Sequence, residues 1–303
     1  MSSTKTIRRI LAGADARGLS RNALTRAFDL ARALDAEMGV LHVVEAPMPR
    51  GPMVRKEELA KLNGELFAAE RAAVETLVAE ARADSGFEGK SSTTEVETVP
   101  GHAARALLQC AEQTETDLLV IGPHAKRKGF EFGSTTRALL SHASIPVWNQ
   151  TGPVEKIERV LVPTDFSDHS RAAVQVAIGL AKAYDAPLVL LHCYVPPGFA
   201  FDPEGSGQVG PNYVVEADRD QERGELERWV GEIEGAHGVT LQSIFTEGDP
   251  RLAVSEEHKS GDLVVMGTQG RSGFSRFLLG SVAQAAVRDI QGAVVVVPAP
   301  QPQ

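Results

Sequence analysis

Apolar and polar positions in the second half of the chain fall into blocks that predict five strands alternating with four helices. Val160-Leu-Val is a short apolar run that reads as a first strand. From about Ser170 to Tyr184 apolar residues recur at Ala173, Val176, Ala177, Leu180 and Ala181, the spacing of one helix face. Leu188 to Val195 is almost entirely apolar, the pattern of a strand buried on both faces. A Pro/Gly-rich loop from Pro196 to Pro211 precedes a charged helix from about Val214 to Glu234. Val239 to Phe245 alternates like a strand. Pro250 to Lys259 predicts a short helix with Asp249 as its N-cap. Asp262-Leu-Val-Val-Met266 is a buried strand, Val282 to Arg288 a helix, and Ala293 to Pro298 the last strand. Such alternation implies a parallel, doubly wound sheet with helices on both faces.

The first half repeats the second. Arg9-Ile-Leu-Ala-Gly-Ala-Asp15 matches Arg159-Val-Leu-Val-Pro-Thr-Asp165 at an offset of 150 residues. The match continues through Ser20/Ser170, Ala31/Ala181, His42/His192 and Pro47/Pro197. It resumes at Asp117–Gly122 against Asp262–Gly267, and at Gly133-Ser134 against Gly280-Ser281. The halves end in Ile145–Trp148 and Ala293–Pro298. A repeat of this length is a domain rather than a solenoid unit. The turn formers near Gln150–Glu155 place the boundary, giving domains 1–152 and 153–303. Met53 to Arg82 reads as an outer amphipathic helix of the first copy.

A net charge of −9 opposes a general binder of nucleic acid or anionic membrane. Cys110 and Cys193 occupy non-equivalent positions and suggest neither a disulfide framework nor a metal knuckle. The N-terminal residues show no apolar signal core, and no run approaches membrane-spanning length, so the cytoplasm is the expected compartment.

Candidate chemistry sits at strand ends. Gly267-Thr-Gln-Gly270, then nine residues, then Gly280-Ser281 joins a strand to a helix. Glycines let backbone approach a ligand closely, and a helix N-terminus offers unpaired N–H groups, so the pattern fits a phosphate cradle. Ser281 is the expected cap of the helix and a phosphate hydroxyl donor. A tight strand–helix connection is the plainer alternative. Asp165, Cys193 and Gly267 all fall at carboxyl ends of strands, where doubly wound sheets bind ligands. His42 and His192, inside apolar strands, read as satisfied core histidines. Asp165, in Asp-Phe-Ser-Asp, also fits a turn or cap residue.

Each half resembles a universal stress protein domain, and the chain resembles a tandem member of that family. The resemblance rests on Val-Leu-Val-Pro-Thr-Asp165-Phe-Ser, Leu-Leu-His192-Cys193 and the Gly267-x2-Gly270-x9-Gly280-Ser281 loop, and it spans nearly the whole chain. It implies two five-stranded α/β domains and ATP, with Mg2+, in the second. In that reading Asp165, beside Pro163 and Thr164, faces the nucleoside, and Cys193 lines the adenine pocket through its backbone. Met266 and Gly267 flank the ribose. Gly270, Arg271, Gly280, Ser281 and Val282 wrap the phosphates. It also implies that the halves pair through their last strands as a pseudo-dimer, with homodimers of whole chains a further option.

The first half departs from this pattern. It reads Gly122-Pro-His-Ala125, then seven residues, then Gly133-Ser134, so Ala125 replaces a glycine and the loop is two residues shorter. Pro123 removes a backbone donor, while Lys126-Arg-Lys128 supplies charge. A degenerate site beside Asp15 is expected. A nucleotide-binding regulator, a slow ATPase, and a module for a lipid or other metabolite are the competing readings. No Gly-x4-Gly-Lys-Ser/Thr phosphate loop is present.

Overall fold

A computed structural model describes residues 6–45, 56–87, 96–123, 133–196, 212–270 and 279–299. The chain divides into two compact units, Thr6–Val154 and a second that begins at Glu155. The first contains β1 (Arg9–Ala14), α1 (Arg21–Leu34), β2 (Glu37–Val44), α2 (Lys56–Ser85), β3 (Val96–Pro100), α3 (Ala103–Gln113), β4 (Leu118–Ile121), α4 (Ser134–His142) and β5 (Val147–Gln150). The second contains β6 (Arg159–Thr164), α5 (Asp168–Tyr184), β7 (Leu188–Tyr194), α6 (Asn212–His237), β8 (Leu241–Glu247), α7 (Pro250–Glu257), β9 (Asp262–Gly267), α8 (Ser281–Asp289) and β10 (Ala293–Val297).

Each unit is a doubly wound, five-stranded parallel sheet. The order is β3-β2-β1-β4-β5 in the first and β10-β9-β6-β7-β8 in the second. The apolar runs are buried strands: every residue of β10 is buried, as is every residue of β7 except Cys193. Right-handed crossovers put α5 and α6 on one face and α7 and α8 on the other. Accordingly α5 packs across β6, β9 and β10, and α7 packs against α8.

Element ends moved by a few residues where capping decided them. Helix α5 starts at Asp168 because Ser167 caps it, accepting from the Ser170 N–H. Its far end stops at Asp185 in the left-handed region, φ 49°, a conformation a short polar side chain tolerates. Helix α7 begins at Pro250 with Asp249 as N-cap, as the sequence predicted, but ends at Glu257. Helix α8 starts one residue early, because Gly280 takes the N-cap position. The proposed Ser281 cap is therefore corrected. Ser281 is the first helical residue, and its exposed side chain makes no capping bond.

Topology positions the crevice. The chain moves from β6 outward to β7 and β8, then crosses to β9 on the other side of β6. The β6–β9 ladder stops at Leu161–Val264, whereas β6–β7 pairing continues to Thr164–His192. The strands part there, and Pro163, with no N–H for a ladder, lies beyond the last β6–β9 pair. Such a switch point, at the carboxyl ends of the strands, is where this architecture binds ligands.

Candidate functional site

The C-terminal crevice is framed by the ends of β6 and β9 and the start of α8. Thr164 is buried at the end of β6, and its Oγ1 accepts from the Phe166 N–H at 3.1 Å. Asp165 follows, half-buried. Its Oδ1 accepts from the Ser167 N–H at 3.1 Å and from the Ser167 hydroxyl at 2.6 Å. The turn role considered for this acid is thus real. Toward Oδ2 lies Gly270, where an added Cβ would stand only 2.5 Å away. The acid and the second loop glycine, over 100 positions apart in sequence, are brought together.

The loop is closed at its base. Thr268 N–H donates to the Val297 carbonyl at 3.0 Å, and Gly280 N–H donates to the Thr268 carbonyl at 2.7 Å. That bond sets the first turn of α8, with Ser281 and Val282, beside the end of β9. It also uses the Gly280 N–H, so the first-turn amides beyond Gly280 remain for an anion. Met266 is buried within β9. Gly267 is a glycine for a packing reason, since an added Cβ would fall 2.8 Å from His169 Cβ and 2.9 Å from His169 main-chain atoms. Gly122 answers to the same constraint, with Ser20 Cα 3.0 Å from its added Cβ. Arg271, Ala125, Lys126–Lys128 and most of the Pro196–Pro211 loop lie outside the described residues.

Cys193 lies half-buried near the end of β7. Burial, then the carboxylates of Asp249, Glu247 and Glu256, push its thiol up to about 11. The acidic surroundings disfavour a phosphate there and leave the α8 end of the crevice for negative charge. They also make the thiol a poor nucleophile, because the thiolate is the reactive form. At pH 8 its thiolate population is about a hundredfold below that of a thiol at the reference value of 9.0. Cys193 should therefore alkylate about a hundredfold more slowly than a small thiol of that reference value. Peptide mapping after timed iodoacetamide treatment checks this, and rapid labelling of Cys193 would contradict it.

The two histidines are core residues, as predicted. His192 Nδ1 donates to the Thr164 carbonyl at 2.8 Å, and Nε2 meets Glu222 Oε2 at 2.8 Å. His42 makes the same pair of contacts with Ala14 and Glu70, at 3.0 Å each.

The N-terminal crevice differs at its acid. Asp15 Oδ1 accepts from Arg17 N–H at 2.8 Å and Leu19 N–H at 3.4 Å, while Oδ2 accepts from Ser20 N–H at 2.6 Å. Both oxygens are committed to the turn entering α1. In the second unit Ser167 caps α5; the equivalent position here is Arg17, and Asp15 instead holds the loop that leads into α1, whose N-cap Ser20 makes no side-chain capping bond. The sequence reading located the degeneracy in the Ala125 loop and missed this second difference, although Asp-Ala-Arg-Gly against Asp-Phe-Ser-Asp displays it. Gly122, Gly133 and Ser134 hold positions matching Gly267, Gly280 and Ser281.

A family model for universal stress proteins matches residues 6–148 and again residues 156–298. The chain belongs to the universal stress protein family. A universal stress protein of Methanocaldococcus jannaschii is 33% identical over 147 residues, which are 48% of this chain and 84% of that one. One from Mycobacterium tuberculosis strain H37Rv is 26% identical over 211 residues, 67% of this chain and 68% of the relative. The crystal structure of a universal stress protein from Archaeoglobus fulgidus superposes with a TM-score of 0.65 at 16% identity, covering 96% of this chain and 98% of that one. The tandem universal stress protein fold is thereby established. Among the described residues no helix is long and apolar enough to cross a membrane, and no group of three or more His, Cys, Asp or Glu side chains could hold a metal ion.

Proposed function

We propose that this universal stress protein is a nucleotide-binding stress-response regulator holding one ATP per chain in the C-terminal domain, with little or no turnover. The observation that carries the reading is the approach of Gly270 to Asp165 Oδ2 in a crevice whose other wall is the start of α8. Pro163, Thr164 and Asp165 take the nucleoside side, with the Cys193 backbone against the base and Met266 and Gly267 near the ribose. Gly270, Arg271, Gly280, Ser281 and Val282 take the phosphates. Helix α8 contributes its N-terminal partial charge, and it has no side-chain cap competing for its amides. Asp165 offers a carboxylate of the kind Mg2+ uses when phosphates and water supply its other ligands.

Calorimetry should find close to one ATP site per chain. ATP at about 100 times its dissociation constant should stabilise the domain by about 2.7 kcal/mol. Hydrolysis should run far below the roughly 1–100 s⁻¹ of kinases. Two equivalent sites, or no melting shift at millimolar Mg-ATP, would defeat the reading.

The same reading keeps the halves paired through their last strands, since the apolar run Ala293–Val297 needs cover on both edges. Chains nicked between Thr151 and Glu155 should stay associated on gel filtration; halves that separate would count against this. Homodimers of whole chains are compatible with it, and the cytoplasm is the expected compartment.

A further inference from the structure

His192 reaches the residues on both sides of Asp165. Its Nδ1 donates to the Thr164 carbonyl at 2.8 Å, and its ring lies 4.4 Å from the ring of Phe166. On its other side it meets Phe245, at 5.6 Å between centroids. The imidazole is 3% exposed, and Nε2 is held at 2.8 Å by Glu222 Oε2 of α6. A continuous set of contacts therefore runs from the backbone carrying the crevice acid to the long outer helix.

Phe166 adds an independent sign. It takes a left-handed backbone, φ 63°, which is costly for a bulky side chain. Strain of this kind persists only where surrounding structure enforces it, and it gathers at functional positions. Here the ring packs on His192 and, at 5.9 Å between centroids, on Trp229 of α6. The first unit keeps the His42–Glu70 pair but not this turn. Ala16 follows its acid without a positive φ, the left-handed residue is Gly18, and Asp15 folds into its own loop.

We infer that His192, backed by Glu222, is a positioning residue that presents Asp165 to the crevice and couples nucleotide occupancy to helix α6. The inference rests on the nucleotide reading above. The imidazole fixes the Thr164–Asp165 peptide through one nitrogen and supports the strained Phe166 turn through its face. Glu222 orients the ring through the other nitrogen. Nucleotide pressing on Asp165 then loads the same contacts and steadies α6.

The test compares full-length wild type with Glu222→Ala, Glu222→Gln and Glu70→Ala. ATP affinity is measured by calorimetry, folding by thermal melting, and α6 protection by hydrogen exchange with and without ATP. Glutamine keeps an oxygen that can accept from Nε2–H, whereas alanine does not. Glu222→Ala should raise the ATP dissociation constant about tenfold, the scale of a lost charge-assisted hydrogen bond. It should also abolish the ATP-dependent slowing of exchange across residues 216–234. Glu222→Gln should recover most of both effects. Glu70→Ala removes the equivalent contact in the other half and should leave ATP affinity unchanged. Equal affinity for wild type and Glu222→Ala overturns the inference alone. So does a glutamine variant as weak as alanine, or a Glu70→Ala as weak as Glu222→Ala. A wild-type chain that binds no ATP overturns both this inference and the nucleotide reading.

Discussion

Gly270→Val should weaken ATP binding by at least about a hundredfold, roughly 2.7 kcal/mol, while the melting temperature of ligand-free protein barely moves. The separation of the two effects follows from what the new side chain meets. Its Cβ would fall 2.5 Å from Asp165 Oδ2, the far end of a side chain, and 3.5 Å from Asp165 Cγ. A carboxylate can turn aside where a main chain cannot, at most at the cost of its own bonds, such as those to Ser167. It then leaves the position proposed for nucleoside recognition, and the valine methyls occupy the crevice mouth. Gly267→Ala makes the opposite case. There the obstacle includes the main chain of His169 at 2.9 Å, which cannot swing aside. Overpacking of that kind costs about 1–3 kcal/mol. Gly267→Ala should thus lower stability first, and Gly270→Val should lower affinity first. Calorimetry and melting on the same preparations read both. A Gly270→Val protein that binds ATP within threefold of wild type would remove Gly270 from the site.

The paired acids extend the contrast. Asp165→Ala should remove ATP binding. Asp15→Ala should leave it intact, and it should cost the first unit about 1–2 kcal/mol, because three N–H groups of the loop leading into α1 lose their acceptor.

The sheet was legible because parallel strands covered on both faces must be apolar throughout, and Leu188–Val195 and Ala293–Val297 have no other reading of comparable economy. The repeat placed the crevice twice, since equivalent strands end at equivalent acids. Local competition for hydrogen bonds was less legible. Ser167 caps α5, whereas Arg17 at the matching position cannot, and the loop N–H groups that each carboxylate holds differ accordingly. Gly267 shows the converse limit. A glycine in a cradle pattern suggests a ligand, yet its first requirement is room for a helix that arrives from another part of the chain. His192 was correctly placed in the core, but its tie to α6 depends on Glu222, thirty residues on. No period in the sequence marks that partner among the many acids of a charged helix.

The largest stability effect is expected far from the crevice, at Asp262. This residue opens β9 in register with Arg159, the first residue of β6. Its side chain is 2% exposed and accepts from Arg159 Nε at 2.8 Å and from the Lys259 N–H at 2.8 Å. Arg159, 15% exposed, also donates to the Glu257 carbonyl at 2.7 Å. The pair joins the amino ends of the two strands that separate at the crevice. Asp262→Ala would leave a largely buried guanidinium without its carboxylate, a change that costs about 3–5 kcal/mol. At about 2–4 °C per kcal/mol for domains somewhat larger than this one, melting should fall by about 6–20 °C. Removing both charges together leaves no orphan, so Asp262→Leu with Arg159→Met should recover most of the loss. The matching change in the first unit should be milder. Asp117 accepts only from the Arg8 and Arg9 backbone, at 2.8 and 3.1 Å, while the Arg9 side chain pairs with exposed Glu37. Asp117→Ala should therefore cost about 1–2 kcal/mol, since of the two N–H groups that lose their acceptor one is exposed to water. A double-mutant cycle on Asp262 and Arg159, read by denaturant titration, decides the matter. If Asp262→Ala costs no more than Asp117→Ala, the pair is not what holds β6 to β9, and the crevice owes its shape to the apolar ladder alone.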